Sequence, residues 1–173
     1  MNRTCSWCSK EFTPQTRPGQ PDRRMYPPLC PACSELMVFQ MGVPLQTYLD
    51  RLPAPIFVVN SNVEVQAANK LGLRLLNKES RQVLKKLGGE VFECAYARLP
   101  EGCGRTVHCS GCAIRRTVYE TFESGESRID VPATLRSGDA EHGQDIAMRI
   151  STEKMGEVVL LRIEMVGAPV PQR

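Results

Sequence analysis

The stretch from Leu49 to Asn77, LDRLPAPIFVVNSNVEVQAANKLGLRLLN, changes its hydrophobic pattern several times. It begins inside a helical pattern. Leu45, Tyr48, Leu49 and Leu52 recur at i, i+3, i+4 and i+7, one face of a helix opened by Pro44 and ended by Pro53 and Pro55. Ile56 to Asn60 then reads as a buried strand. Ser61 and Asn62 make a polar turn, and Val63, Val65 and Ala67 alternate as a second strand, so the pair is expected to be a hairpin. KLGLRLLN returns to helical spacing. A second short helical pattern, SRQVLKKLGG, follows, with Ser80 as its expected N-cap and Gly88 and Gly89 as its stop.

Further along, AIRRTVYETFESG places Ile114, Val118 and Phe122 on one helical face and ends at Gly125. Three strand patterns complete the chain. Ile129, Val131, Ala133 and Leu135 alternate, then Ile146, Met148 and Ile150, then Val159, Leu161, Ile163 and Met165. Two strands, three helices and three strands predict an antiparallel sheet covered on one face by helices.

The stretch quoted first looks like the start of a PAS domain. In that family a Leu-Pro-containing entry helix leads into a strand, a polar turn, a second strand and an Asn just before the first helix, where Asn69 stands here. The resemblance runs from about Pro44 to Val166. It implies an α+β fold with a PAS-like five-stranded antiparallel sheet and helices on one face; a small N-terminal zinc finger is expected in addition, from the spacing of Cys5, Cys8, Cys30 and Cys33. The expected division is a zinc-finger-like module over 1–42, an entry helix over 43–53, and a PAS domain over 54–167. A cysteine-rich insertion occupies 94–112, and a frayed tail 168–173.

The chain has 173 residues, 42% of them hydrophobic, and a net charge of +3, enough for one domain with a core and a small appendage. So mild a charge does not by itself indicate a nucleic-acid binder. No apolar run is long enough for a membrane span, and the start MNRTCSWCSK has no signal-peptide core. A cytoplasmic location is expected, where patterned cysteines read as metal ligands or redox groups before they read as disulfides.

The eight cysteines fall into two sets. The first is CSWC at Cys5 and Cys8 with CPAC at Cys30 and Cys33. In the pattern C-x2-C-x-K-x-F the knuckle turns backbone N–H groups toward the first sulfur, and Phe12 packs over the site. The set resembles a treble-clef or ribbon-type zinc finger, with a rubredoxin-like iron site as competitor. Ser34 is expected to cap a short helix carrying Leu36, Met37, Phe39 and Met41. Arg17, Arg23 and Arg24, with Trp7 and Tyr26 nearby, form a small basic patch that either grips a partner or is simply solvated while the finger docks on the larger domain.

The second set is Cys94, Cys103, Cys109 and Cys112, unevenly spaced in ECAYARLPEGCGRTVHCSGC. Four thiolates in one loop region suit tetrahedral zinc or an iron–sulfur cluster. Cys112 opens a helix, which favours thiolate. Arg105, Arg115 and Arg116 bring positive charge, and Gly102, Gly104 and Gly111 let N–H groups approach the sulfurs. His108 is an alternative ligand, though a solvated loop histidine is the simpler reading. The PAS resemblance puts this loop at the border of the family's cofactor pocket, and it resembles cysteine-bearing PAS sensors that hold a [4Fe–4S] cluster. That implies sensing of redox state, oxygen or nitric oxide, with thiol switching or structural zinc left open. Haem and flavin are discounted, since Ala113 to Phe122 contains no His and an Asn-Cys-Arg context is absent.

No catalytic set is evident. His108 and His142 are the two histidines, and His142 lies in the turn SGDAEHGQ. The expectation is therefore a non-enzymatic sensor that signals in trans to a protein partner, a kinase or transcription regulator. It would form a homodimer through the face of Leu45, Tyr48, Leu49 and Leu52. The alternatives are a zinc-finger regulator that binds nucleic acid, and a PAS protein for a small ligand with structural zinc at both sets. No membrane partner is expected.

Overall fold

The computed structural model describes residues 2–13, 29–33 and 42–165. Two short strands, β1 (Arg3–Thr4) and β2 (Glu11–Phe12), pair with each other, and a helical turn covers 31–33. Helix α1 (Gly42–Leu49) follows, then the hairpin of β3 (Ile56–Val59) and β4 (Val65–Ala68). Helices α2 (Lys70–Leu76), α3 (Ser80–Val83) and α4 (Gly88–Val91) lead to two 3-10 turns, Ala95–Arg98 and Val107–Gly111. Helix α5 (Ala113–Ser124) precedes β5 (Arg128–Ser137), β6 (Gln144–Met155) and β7 (Val158–Met165). The five long strands form one antiparallel sheet in the order β4-β3-β7-β6-β5, as the α+β pattern predicts.

Strand β3 explains the layering. Its four residues Ile56 to Val59 are all buried, which a strand with one wet face does not allow. Phe57 and Val59 point into a core with Phe92, Ile114, Val118, Ile150 and Leu161, under the helices. Ile56 and Val58 point the other way, into a second core with Tyr48, Leu49, Leu52 and Leu160. Full burial of each such side chain stabilises by about 1.5–3 kcal/mol. The expectation of cover on one face is thus incomplete, because α1 and the first cysteine set cover the opposite face above β3 and β7. The proposed homodimer stripe is spent in the same place. Tyr48, Leu49 and Leu52 are at most 3% exposed within the single chain and Leu45 is partly buried, so most of this face packs against the chain's own sheet.

Asn69 joins these layers. It is fully buried at the N-cap of α2, and its Oδ1 accepts from Gly72 N at 2.8 Å and Ile56 N at 3.0 Å. Its Nδ2 donates to Ala54 O at 2.7 Å and Leu49 O at 3.1 Å. One carboxamide therefore fixes the end of α1, the start of β3 and the start of α2.

Several boundaries differ from the periodicity. The N-cap of α3 is Glu79, not Ser80; its N–H donates to the Gln82 side chain at 2.8 Å. Gly88 and Gly89 do not stop a helix but begin α4, because Gly88 must pass close to Val63, whose Cγ1 lies 2.8 Å from where a Cβ would stand. Val63 is not in the strand; it is a buried turn residue at φ 61°, and the hairpin carries an irregularity between Val58 and Val59. The pairing of β5 with β6 shifts between Arg128 and Val131, which leaves Ile129 exposed while Ala133 and Leu135 remain buried. The expected Ser34 helix and the Arg17, Arg23, Arg24 and Tyr26 patch lie outside the described residues.

Helix α5 follows its periodicity. Ile114 and Val118 are buried with Thr117 and Thr121, and Phe122 packs at the edge of the core. Gly125, at φ 70°, closes it by donating its N–H to Thr121 O at 2.9 Å. The Thr121 and Thr152 hydroxyls share a buried 2.6 Å hydrogen bond that ties α5 to β6. Among the described residues no helix is long and apolar enough to cross a membrane.

Candidate functional site

The first cysteine set is brought together tightly. The Sγ atoms of Cys5, Cys8, Cys30 and Cys33 all lie within 4.8 Å of one another. Cys8 and Cys30 are 3.8 Å apart. A tetrahedral ion with metal–sulfur bonds of about 2.3 Å holds its sulfurs about 3.8 Å apart, so the donor set fits a single thiophilic cation. The β1–β2 knuckle supplies the first pair, with Cys5 N–H donating to Lys10 O at 2.8 Å. The turn at 29–33 supplies the second. Burial opposes a thiolate at Cys5, but N–H groups of Cys30, Cys8 and Trp7 outweigh it and bring the thiol down to about 6. Cys33 is pushed the other way by burial and by the sulfurs of Cys30, Cys8 and Cys5. A bound cation removes that opposition, since a coordinated thiol is deprotonated outright. Trp7 sits at the edge of this site under the Arg51 guanidinium, 5.3 Å from the ring centre.

The second set lies under the helices, on the opposite side of β3. Cys94 precedes the first 3-10 turn, Cys103 comes from the loop between the two turns, Cys109 lies in the second, and Cys112 is the N-cap of α5. All four line one cavity of about 170 Å³, bounded also by Phe92, Ile114 and Leu135 of the helix-side core. No three of these sulfurs draw within 4.8 Å of one another, as the first set does. The sulfurs are thus arranged around a space rather than around a point.

Cys103 and Cys109 each accept a backbone hydrogen bond from a glycine. Gly89 N donates to Cys103 Sγ at 3.3 Å, and Gly104 N to Cys109 Sγ at 3.1 Å. The Thr106 hydroxyl lies 3.2 Å from Cys109 Sγ. Burial opposes the Cys109 thiolate, yet the Thr106 and Gly104 contacts and the charge of Arg115 outweigh it and hold the thiol below its ordinary value. Cys94 is held above its ordinary value, chiefly by burial and further by Cys112 and Cys103.

Of the three glycines expected to serve the sulfurs, only Gly104 does so among the described residues; Gly111 has open space around it. Gly89 takes the other role, and a Cβ there would stand 2.7 Å from Cys103 Sγ. Nothing local in the sequence flags Gly89, because it reaches Cys103 across an intervening helix and turn. Thr106, three residues before Cys109, had a readable local signal. Of the three arginines, Arg115 lines the cavity and donates to Asn62 O at 3.1 Å, while Arg105 and Arg116 are exposed. Arg136 lines the cavity from β5 and was not anticipated. His108 stacks on Tyr96, with ring centres 3.9 Å apart, at the rim of the cavity. His142 lies exposed in the turn with Asp139, as a loop histidine should.

No known family model matches the sequence, and no curated protein matches it. Solved structures similar to the chain are PAS domains. A domain of a sensory box sensor histidine kinase/response regulator from Geobacter sulfurreducens is 13% identical, with a TM-score of 0.47, over 76% of this chain and 98% of that one. The PAS domain of an HTR-like protein from Haloarcula marismortui is 13% identical, with a TM-score of 0.45, over 72% and 96%. The photoactive yellow protein domain of the sensor histidine kinase Ppr from Rhodospirillum centenum is 14% identical, with a TM-score of 0.42, over 76% and 98%. Likenesses of this size assign neither ligand nor activity.

Proposed function

We propose that this chain is a PAS-type signal sensor whose second cysteine set, Cys94, Cys103, Cys109 and Cys112, ligates a [4Fe–4S] cluster, with zinc at Cys5, Cys8, Cys30 and Cys33. The observation that carries the reading is the contrast between the two sets. One closes to the spacing of a single ion; the other surrounds a cavity of about 170 Å³. A mononuclear tetrahedral site needs the first arrangement, and a polynuclear cluster needs the second. The Gly89 and Gly104 N–H groups, donating to the Cys103 and Cys109 sulfurs, are the kind of contact that stabilises and tunes thiolate-bound clusters.

When bound, such a cluster supplies a centre sensitive to redox state, oxygen or nitric oxide. The chain's own residues carry the consequence. Cys112 is both a ligand and the N-cap of α5, so a change in its ligation acts at the start of that helix. Helix α5 then bears on the sheet through Ile114, Val118 and the Thr121–Thr152 hydrogen bond. The output passes to a protein partner, a kinase or transcription regulator, and the reading assigns this chain no catalytic step and a cytoplasmic setting.

The test is anaerobic purification with metal and sulfide analysis. Expected are iron and acid-labile sulfide in equal amounts, and a brown colour with broad absorption near about 400 nm that bleaches in air. Cys109→Ala should lose that colour and keep one zinc. A colourless anaerobic protein holding two zinc ions per chain overturns the cluster and favours structural metal at both sites.

A further inference from the structure

The first cysteine set is part of a core rather than of a free appendage. Cys5, Cys30 and Cys33 are at most 9% exposed and pack with Tyr48, Leu52, Ile56, Val58 and Leu160. Yet among the described residues the backbone around them is sparse. Strands β1 and β2 pair over two residues each, and the second pair of cysteines sits on a turn at 29–33. A ladder of that length does not stand on its own in water. The backbone pairing among the described residues is too short to hold these two segments together over the sheet.

We infer that the ion at Cys5, Cys8, Cys30 and Cys33 is the fastener of the second core, so that metal binding and the order of β3 are one equilibrium. The inference rests on the proposed zinc at this site, and the cation class is a thiophilic, tetrahedral, redox-inert divalent ion. Four thiolates on one ion join the knuckle to the 29–33 turn. Only then do the two segments present a single apolar surface to Ile56, Val58 and Leu160. Release of the ion frees both segments and wets the back face of the central strand. The same burial denies this sulfur-bearing face to nucleic acid.

Trp7 is the chain's one tryptophan and lies inside the cysteine knuckle, so its emission reports on the cover directly. The experiment uses the full chain, anaerobically, with zinc removed by a chelator and then restored. Amide exchange is followed in the β3 segment, with cobalt as a spectroscopic substitute. With zinc at a hundred times its Kd, linkage alone is worth about a hundredfold in the opening equilibrium. Zinc removal is therefore expected to shift Trp7 emission and to lower protection across Ile56–Val59 by about a hundredfold or more. Zinc re-addition should restore both. Cys8→Ser should reproduce the loss without chelator, and Glu123→Gln, at an exposed position on α5, should not. Tetrahedral thiolate bands with cobalt but unchanged β3 protection overturn the fastener and leave the zinc reading intact. Failure of either metal to bind overturns both.

Discussion

Replacing Asn69 by Ala is expected to be the most damaging single polar change in the chain. The side chain is fully buried and makes four hydrogen bonds, all to backbone. Alanine removes every one. Leu49 O keeps a second partner, the Leu52 N–H at 3.1 Å. The Ile56 N–H, the Gly72 N–H and Ala54 O lose the bond the carboxamide gave them. A stranded buried group costs about 1–3 kcal/mol, and water entering the vacated space offsets part of that. The low end for three groups is about 3 kcal/mol. At about 2–4 °C per kcal/mol for a chain of this size, Tm falls by about 6–12 °C.

Asn69→Asp separates hydrogen bonding from volume. It keeps an acceptor toward Ile56 N and Gly72 N but turns a second oxygen toward Ala54 O and Leu49 O. Protonation relieves that clash, so the folded-state pKa of the new carboxyl lies above its unfolded value. Its penalty is therefore smallest below the unfolded pKa and grows as pH rises toward the folded one. Urea unfolding of metal-replete protein at several pH values measures both variants. A loss below about 1 kcal/mol for Asn69→Ala, or a pH-independent cost for Asn69→Asp, refutes the role given to this residue.

Gly89→Ala places a Cβ against Cys103 Sγ, so iron content after anaerobic purification should fall to a small fraction of wild type, whereas Gly111→Ala, with open space around it, should leave it unchanged. Thr121→Val strands the buried Thr152 hydroxyl and is expected to cost about 1–2 kcal/mol by urea unfolding. Thr121→Val combined with Thr152→Val should recover most of that loss, because no orphan then remains.

Much of the fold was legible because its signals are local. The Ile114–Val118–Phe122 spacing, the buried run at Ile56 and the three closing strands each follow from a period that short peptides already express. The position of Asn69 before α2 was legible through the PAS resemblance, which implies an Asn just before the first helix. Gly88 and Gly89 misled, because glycine at a helix end and glycine at a crowded helix start look alike in sequence. Only the approach of Val63 and Cys103 distinguishes them. Val63 continued an alternation that its turn conformation does not follow.

By itself the sequence determined the class of fold, the two sets of cysteines and the helix that Cys112 opens, since spacing and periodicity are properties of a few neighbouring residues. The tertiary structure alone decided how the sulfurs of each set are arranged. Sulfur separations depend on how distant segments pack, and so does the difference between a cluster of points and a lined cavity. The same holds for the stripe of Tyr48, Leu49 and Leu52. An apolar helix face is the same pattern whether it meets a second copy or its own sheet. Here the all-buried strand β3 needs a cover on both sides, and that stripe supplies one of them.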